Sequence, residues 1–448
     1  MRHLPFIYLF ALLCVPFYIG PELATNVQLN LERVTLALLA AGVLIGVFGP
    51  VIRPALRFLW QNSPVFLLCF AGFFLWRITA SILSPYAVSK YLVINELISN
   101  AFVFLLFFQL YFRRGAVQTV LRVLALSVLW MALVVAVEVA TGTNPFTPLA
   151  PASAGQAILD ANIERAGLLR AKGAFEHPLT LGQYVIFLLP VILFMDRTLI
   201  SRRRALTLGA LLFAFGVATG SRATLVIMSV EVLLYLLFWG LRIGKEGRQV
   251  NLGGMLWVFV PVVAVLVASF AEQITGNSLF SSYTRVAQIV NGLIAVGDAP
   301  WVGFGQGPGG LRAIEDTVRY ASGSLILWEA NFNTIDNWFL SILLGSGIPA
   351  VVLFMGFNLA VLLRGGWCIL NGTTRRRMRD ANLLGQLVGV FTAFAGSFGF
   401  MAILSIFTLH PLHFILMGWL LALSIRAGAP AAADAPLPRD TSIAPETA

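Results

Sequence analysis

Apolar runs of membrane-spanning length recur along almost the whole chain, and they constrain its fold more than any other feature. A helix needs about 20 mostly apolar residues to cross a bilayer. Runs of this kind lie near residues 4–20, 33–52, 64–83, 92–112, 117–140, 180–196, 205–219, 223–241, 254–271, 337–363, 383–404 and 407–425. We therefore predict an all-α integral membrane protein with about twelve transmembrane helices in one domain, residues 1–427.

The composition supports this class and excludes several others. Charged residues make up 11% of the chain, whereas soluble proteins carry about 25%. The net charge of +10 would suggest a nucleic-acid partner in a soluble protein, but in a membrane protein it first reports orientation, so we predict no nucleic-acid partner. The three cysteines are far apart, which argues against a disulfide framework and against a cysteine metal site.

The positions of the basic residues predict the topology. With the N-terminus inside, about 20 of the 30 Lys and Arg residues fall on the cytoplasmic side. Both termini are then cytoplasmic, and the Ala- and Pro-rich stretch 428–448 is expected to be a disordered tail. Two long loops, at about 141–179 and 272–336, fall on the outer side. Loops of this length are usually functional or disordered, and their aromatic residues favour function.

Several basic residues break the positive-inside pattern by lying on the outer side. They are Arg165, Arg170, Lys172, Arg222, Arg285, Arg312 and Arg319. Arginine presents a planar fork of donors that matches phosphate oxygens, so several arginines together could bind a lipid pyrophosphate. The alternative is ordinary solvated loop charge. It is favoured for Arg312 and Arg319, because each has an acidic residue four positions away on a predicted helix.

Arg222 lies in a very tight turn between two predicted spans, within Thr219-Gly220-Ser221-Arg222. A cation at this boundary is costly unless it finds a partner or extends to the interface. Ligand binding and snorkelling therefore both remain open for Arg222.

A glycine-rich run follows in the second outer loop, with Gly305, Gly307 and Gly310 in a G-x-G-x-x-G spacing. A dinucleotide fold is excluded, because that motif needs a strand, a turn and a helix within a doubly wound sheet. Backbone N–H groups around Gly305 and Gly307 could still bind a phosphate. A plain flexible turn is the alternative.

Histidine and acidic residues offer few candidates for metal or proton chemistry. His177 follows Glu176 at the end of the first outer loop and could form an acid–base pair with it. The pair His410 and His413 is too small for a metal site, so we expect interfacial packing there and predict neither metal nor cofactor. Charges inside the predicted spans are sparse, which argues against a proton-driven transporter. They are Arg77, Glu96, Glu138 and Glu231.

The order of short motifs resembles the superfamily of O-antigen ligases and O-antigen or exopolysaccharide polymerases. The motifs are Gly173-x-Phe175-x-His177-Pro178-x-x-x-Gly182, Gly220-Ser221-Arg222-Ala223, Pro300-x-x-Gly303-x-Gly305-x-Gly307 and Asp336-Asn337-x-x-Leu340 before Gly347-Ile348. The resemblance covers about residues 165–360. It implies a metal-independent glycosyltransferase of the bacterial inner membrane that uses an undecaprenyl-pyrophosphate-linked glycan on the periplasmic face. Flippase and chain-length regulator proteins are then candidate partners, besides membrane lipid.

The resemblance also implies roles for particular residues. Arg170, Arg222 and Arg285 occupy the positions of arginines that hold the pyrophosphate or the glycan in the family. Ligases usually carry His-Asn where this chain has Asp336-Asn337, which favours a polymerase, with a ligase as the alternative. A transporter of polysaccharide or lipid-linked oligosaccharide is the alternative from another class.

Asp336 is the predicted proton acceptor at the outer end of its span. Its carboxylate could take the proton of an acceptor hydroxyl. Alternatively, Asp336 only caps the helix that follows, a role that Asp fills well. In sum, we predict Asp336, Arg285 and Arg222 as catalytic residues. The predicted substrate-binding residues are Arg170, His177, Arg312, Arg319, Gly305 and Gly307.

Overall fold

The fold is helical in the described part of a computed structural model. The structure describes residues 3–24, 27–44, 49–86, 94–112, 115–150, 164–165, 168–195, 199–243, 279–305, 310, 313–314, 317, 337–380, 383–401 and 408–428. The helices are α1 Leu4–Cys14, α2 Leu31–Leu44, α3 Gly49–Asn62, α4 Pro64–Leu83, α5 Ile94–Leu110, α6 Ala116–Thr141, α7 Pro178–Phe194, α8 Arg202–Ala218, α9 Arg222–Ile243, α10 Leu279–Val296, α11 Trp338–Leu370, α12 Gly372–Asp380, α13 Leu384–Met401 and α14 His410–Gly428. Two short antiparallel hairpins join Glu22–Ala24 (β1) to Val27–Gln28 (β2) and Glu164–Arg165 (β3) to Leu168–Leu169 (β4).

Five helices of the described part are long and apolar enough to cross a membrane. They are α4, α6, α11, α13 and α14. Shorter apolar helices, α1, α5 and α7, accompany them. The prediction of a multi-pass helical membrane protein is confirmed, but the described residues do not bear out about twelve spans. The predicted span 254–271 lies outside the described residues.

Two predicted segments differ in form from what the sequence suggested. The predicted span 33–52 overlaps two helices, α2 and α3, and α3 contains Pro54 and several polar residues. The predicted outer loop 272–336 contains the helix α10, 18 residues long. Ser, Gln and Asn among its apolar residues make this segment too polar to be predicted as a span. The segment nevertheless forms a helix.

Helices α7 and α14 form the centre of the bundle, because almost every side chain in both is buried. Helix α13 packs against α7, α14 packs against α5, and α11 packs against α4. Phenylalanines fill these interfaces. Phe70 lies 4.7 Å from Phe104 and 5.4 Å from Phe357, measured between ring centroids, and such aromatic pairs add to the stability gained from burial.

The long helix α11 is broken after two turns. Gly347 has φ +76°, a left-handed conformation that favours glycine. The break would leave backbone groups unsatisfied, and the segment Pro300–Phe304 supplies partners for them. The Phe304 N–H donates to Leu344 O at 2.7 Å, and the Ile348 N–H donates to Pro300 O at 2.8 Å. A broken helix of this kind is tolerated in a membrane protein where other protein groups satisfy the backbone.

Candidate functional site

The segment from Arg170 to His177 is fixed to the C-terminal end of α8. The Ala171 N–H donates to Ala218 O at 2.9 Å, and the Arg170 Nε–H donates to Thr219 O at 2.7 Å. The last carbonyls of a helix carry partial negative charge, so a guanidinium is stabilised there. Arg170 is 9% exposed, so contacts within the protein, rather than contacts with water, hold its side chain in place.

The turn between α8 and α9 brings Arg170 close to the segment that carries Arg222. Gly220 has φ +57°, and a Cβ placed on it would lie 3.3 Å from the Arg170 Cγ. Ser221 follows, and its Oγ accepts the Thr224 N–H at 3.3 Å, which caps α9. Arg222 is the first residue of α9 and is half-buried. Two arginines that are far apart in sequence thus lie at the same turn.

A buried carboxylate of α6 holds the next part of this segment. Glu138 Oε2 accepts the backbone N–H groups of Lys172 at 3.1 Å and Gly173 at 2.8 Å. On the other side, the Asn144 Nδ2 donates to Gly173 O at 2.7 Å. Lys172 is 1% exposed, and burial lowers the pKa of its ammonium group, although the Glu138 and Glu176 carboxylates oppose that shift.

Glu176 connects this segment to the start of α14. Its Oε1 accepts the hydroxyls of Thr180, at 3.1 Å, and Thr408. Its Oε2 is buried and accepts no hydrogen bond from the described residues. Burial raises the pKa of the Glu176 carboxyl above its usual range, although the two hydroxyls and the charge of Lys172 oppose that shift. A carboxyl with a raised pKa and one unengaged oxygen suits proton transfer.

His177 caps the helix α7. Its Nδ1 accepts the Leu179 N–H at 3.1 Å, so the proton of the neutral ring lies on Nε2. Burial and the charges of Arg170 and Lys172 lower the pKa of His177 to about 4, so the ring is neutral at pH 7. A neutral imidazole with an Nε2–H can donate a hydrogen bond to a ligand.

Helix α11 begins close to the start of α14, which Glu176 also contacts. The cap of α11 is Asn337, whose Oδ1 accepts the Leu340 N–H at 3.1 Å. The interpretation of Asp336 as the cap is therefore wrong by one position. Asn caps helices as well as Asp does, so the residue type alone does not distinguish the two positions. The next residue, Trp338, lies 4.1 Å from His410 between ring centroids. His410 is buried, as is His413, so both are packing residues of the bundle.

The remaining predicted residues lie partly or wholly outside the described residues. Asp336, Arg312, Arg319 and Gly307 are not among the described residues. Arg285 lies on α10, and the structure describes its backbone position only. Gly305 has φ +80° and follows Phe304 in the turn that fills the break of α11. Among the described residues, no three His, Cys, Asp or Glu side chains come together as a metal site would require.

The described site thus combines cations with carboxyls at one end of the bundle. Arg170, Lys172 and Arg222 supply positive charge, and Glu176 supplies a carboxyl of raised pKa. Such a group can hold an anionic leaving group and accept a proton from a hydroxyl.

Residues 207–355 match the family model described as O-antigen ligase. The matched range contains the turn between α8 and α9 and the helix α10.

This part of the chain, residues 207–355, resembles an O-antigen ligase domain.

The enzymes of the O-antigen ligase family are membrane glycosyltransferases that act on lipid-linked glycans. The matched range of the domain runs from α8 into α11 and includes Arg222, Arg285 and Asp336. Arg170, Glu176 and His177 precede it in sequence, but hydrogen bonds and packing attach their segment to the domain at Ala218–Gly220. No curated protein matches the chain.

Sequence reasoning missed the residues that build this site from outside the domain. Glu138 was treated only as an intramembrane charge, and Thr408 was not considered. A local signal existed for Glu138, because it is an acid near the end of an otherwise apolar helix and such residues are usually functional or paired. For Thr408 no local signal exists, since its partner Glu176 is 232 residues away.

Proposed function

We propose that this protein polymerises undecaprenyl-pyrophosphate-linked saccharide units on the periplasmic face of the bacterial inner membrane. The observation that carries the proposal is the packing of Arg170 onto the turn that begins α9 with Arg222. Two arginines beside one turn supply guanidinium forks of the kind that bind pyrophosphate oxygens. Arg285 is proposed as the third arginine of this group.

The reaction needs little covalent chemistry from the protein. The acceptor hydroxyl attacks the anomeric carbon of the donor sugar and forms the new C–O bond. The bond from that carbon to the pyrophosphate oxygen breaks, and the lipid pyrophosphate leaves with the electron pair. The arginines stabilise the negative charge that grows on the pyrophosphate. We propose that no metal is needed for this step, because the arginines supply the positive charge.

A carboxylate is proposed to take the proton of the acceptor hydroxyl. Asp336 is the candidate from the sequence, and the structure adds Glu176, whose Oε2 accepts no hydrogen bond from the described residues. Glu176 and the start of α11 both approach the start of α14, through Thr408 and His410 respectively. Either carboxylate could therefore serve a sugar bound between these helix ends. His177 and the backbone at Gly305 and Gly307 are proposed to contact the same substrate.

The ligase alternative keeps the same donor and changes the acceptor, and the family description supports it. Mass spectrometry of the products formed by purified protein from one lipid-linked repeat unit separates the two. A polymerase gives a ladder of two, three and more repeat units that stay attached to the lipid pyrophosphate. A ligase leaves the single unit unchanged until another acceptor is added, and that result would replace the polymerase proposal.

The transporter alternative has less support from the described residues. Arg77 and Glu96, both predicted to lie within spans, form an ion pair at 2.6 Å, and Glu138 holds the backbone of the site segment. These charges are therefore engaged in structure. A transporter would depend on the buried carboxyl of Glu231, whereas the glycosyltransferase would depend on the arginines near the helix ends.

A further inference from the structure

Glu231 lies on α9, inside a predicted span, and neither oxygen of its carboxyl makes a hydrogen bond to the described residues. The residue is 2% exposed. The other charged side chains of the predicted spans are engaged, because Arg77 and Glu96 form an ion pair at 2.6 Å and Glu138 accepts two backbone N–H groups. Along α9, Glu231 lies about 13 Å from Arg222, so it is separate from the candidate site. A buried polar group without a partner needs an explanation.

The surroundings of this carboxyl are apolar and closely packed. A Cβ placed on Gly396 of α13 would lie 2.6 Å from the Glu231 Oε1. The same Cβ would lie 3.1 Å from the Ile186 Cγ2 of α7 and 3.4 Å from the Ile227 Cγ2 of α9. One carboxyl oxygen therefore fills the space that a side chain at position 396 would need, and apolar groups of α7 and α9 lie beside it.

The titratable residues of the packed helices are engaged elsewhere. Helix α9 packs against α7, α8 and α13, and α13 contains no titratable residue. Those of α7, α8 and α9 besides Glu231 are Tyr184, Arg202, Arg203, Arg204, Arg222, Tyr235 and Arg242. The Tyr184 hydroxyl is hydrogen-bonded to Ser127 of α6, and the Tyr235 ring packs against Phe194. The arginines lie in the first or last turns of their helices, and no described residue forms an ion pair with Glu231.

The charge state of the carboxyl follows from these contacts. An ionised carboxylate in apolar surroundings, with neither a cation nor a hydrogen-bond donor, is far more costly than a neutral carboxyl. A proton binds to the carboxyl oxygen itself and needs no cavity, so the close packing around Glu231 admits it and excludes a larger ligand. We propose that Glu231 is a proton-binding site inside the bundle, occupied at pH 7, and that the bound proton allows α9 to pack against α7 and α13.

The proton also bears on the position of Arg222, because α9 begins with this residue. Loss of the proton would leave an unpaired negative charge between three helices, and water could reach that charge only if the helices separated. Movement of α9 would then displace Arg222. The burial and contacts of Glu231 support the proton site whether or not the protein transfers glycans.

Infrared difference spectroscopy on the purified full-length protein measures the protonation state directly. Glu231→Gln is the test variant, because an amide is the nearest uncharged isostere of a protonated carboxyl. Asp298→Asn, at an exposed position after α10, is the matched control. At about pH 7, where an exposed carboxyl is ionised, the wild type minus Glu231→Gln should show the C=O band of a carboxylic acid. The wild type minus Asp298→Asn should show carboxylate bands, and carboxylate bands for Glu231 would overturn the proposal.

Equilibrium unfolding in detergent at several pH values is the second test. The unfolded chain releases this proton to water and the folded protein keeps it, so the wild type should lose stability relative to Glu231→Gln as pH rises above about 5. We expect the ratio of the two unfolding equilibrium constants to change about tenfold per pH unit in favour of the variant, and the same ratio for Asp298→Asn to stay nearly constant. A ratio for Glu231→Gln that is independent of pH, or that changes in favour of the wild type, would overturn the proposal. If Glu231→Gln fails to fold, the infrared measurement on Glu231→Leu decides.

Discussion

Glu176 is the residue whose environment most directly predicts a pH dependence. Burial raises the pKa of its carboxyl above the usual range, so the folded protein binds its proton more tightly than the unfolded chain does. Glu176 therefore lowers the stability of the fold as pH rises from the usual carboxyl pKa to the raised one. The rate of proton transfer to Glu176 instead rises with pH, because only the ionised carboxylate can accept a proton.

We expect the transfer rate to rise with pH through the raised pKa of Glu176. Glu176→Gln should lower the rate by about 10²- to 10⁴-fold, the usual worth of a general base, and should abolish this acidic limb, whereas Glu176→Asp should retain part of the rate. The measurement is the pH profile of kcat with purified protein. A Glu176→Gln protein with full activity and an unchanged profile would assign the proton to Asp336, and Asp336→Asn would then be the inactive variant.

A second prediction at the residue scale concerns the three arginines proposed to bind the pyrophosphate. Lysine keeps the charge but cannot form the paired hydrogen bonds of a guanidinium, so Arg170→Lys, Arg222→Lys and Arg285→Lys should each lose at least about tenfold in kcat/KM. Arg376→Lys, on the exposed surface of α12, is the control and should keep the wild-type value. Expression and thermal stability are measured in parallel. Tolerance of lysine at all three positions would refute the pyrophosphate clamp.

At the scale of elements, the break in α11 fixes the turn that contains Gly305. A Cβ on Gly347 would collide with the backbone of Pro300 and Trp301, and the residue would also keep an unfavourable positive φ. We expect Gly347→Ala to destabilise the protein by at least about 2 kcal/mol. Gly366→Ala in the same helix is the control, because its Cβ would meet Phe391 at an ordinary 3.7 Å. Thermal unfolding in detergent should separate the two variants, and equal midpoints would show that the break is not a rigid element.

The sequence predicted the elements better than the contacts between them. Apolar length predicted α4, α6, α11, α13 and α14, and motif order predicted the O-antigen ligase domain. Both signals are local. The carboxylate of Glu138 holds a backbone segment 34 residues away, and although the acid stands out in its helix, a single sequence does not show which segment it binds. The prediction of the cap of α11 was wrong for a different reason. Asp and Asn are equally good capping residues, so the sequence does not show which of Asp336 and Asn337 caps the helix.

At the scale of the molecule, the proposed function requires the candidate site and the basic segments 202–204 and 375–379 to face opposite sides of the membrane. We expect reporter fusions within 141–179 and 272–336 to be periplasmic, and fusions at 202–204 and 375–379 to be cytoplasmic. The physical reason is the retention of Lys and Arg on the cytoplasmic side. A cytoplasmic position for 272–336 would contradict the orientation and the proposed chemistry together.

The proposed glycosyl transfer is tested most directly with the purified protein in liposomes, a defined undecaprenyl-pyrophosphate-linked saccharide and EDTA throughout. We expect glycosyl transfer without any nucleotide sugar, with one lipid pyrophosphate released for each new glycosidic bond, and a rate at least about tenfold lower in Arg222→Lys. A requirement for a metal ion or a nucleotide sugar, or movement of the intact lipid-linked saccharide across the bilayer without bond formation, would contradict it.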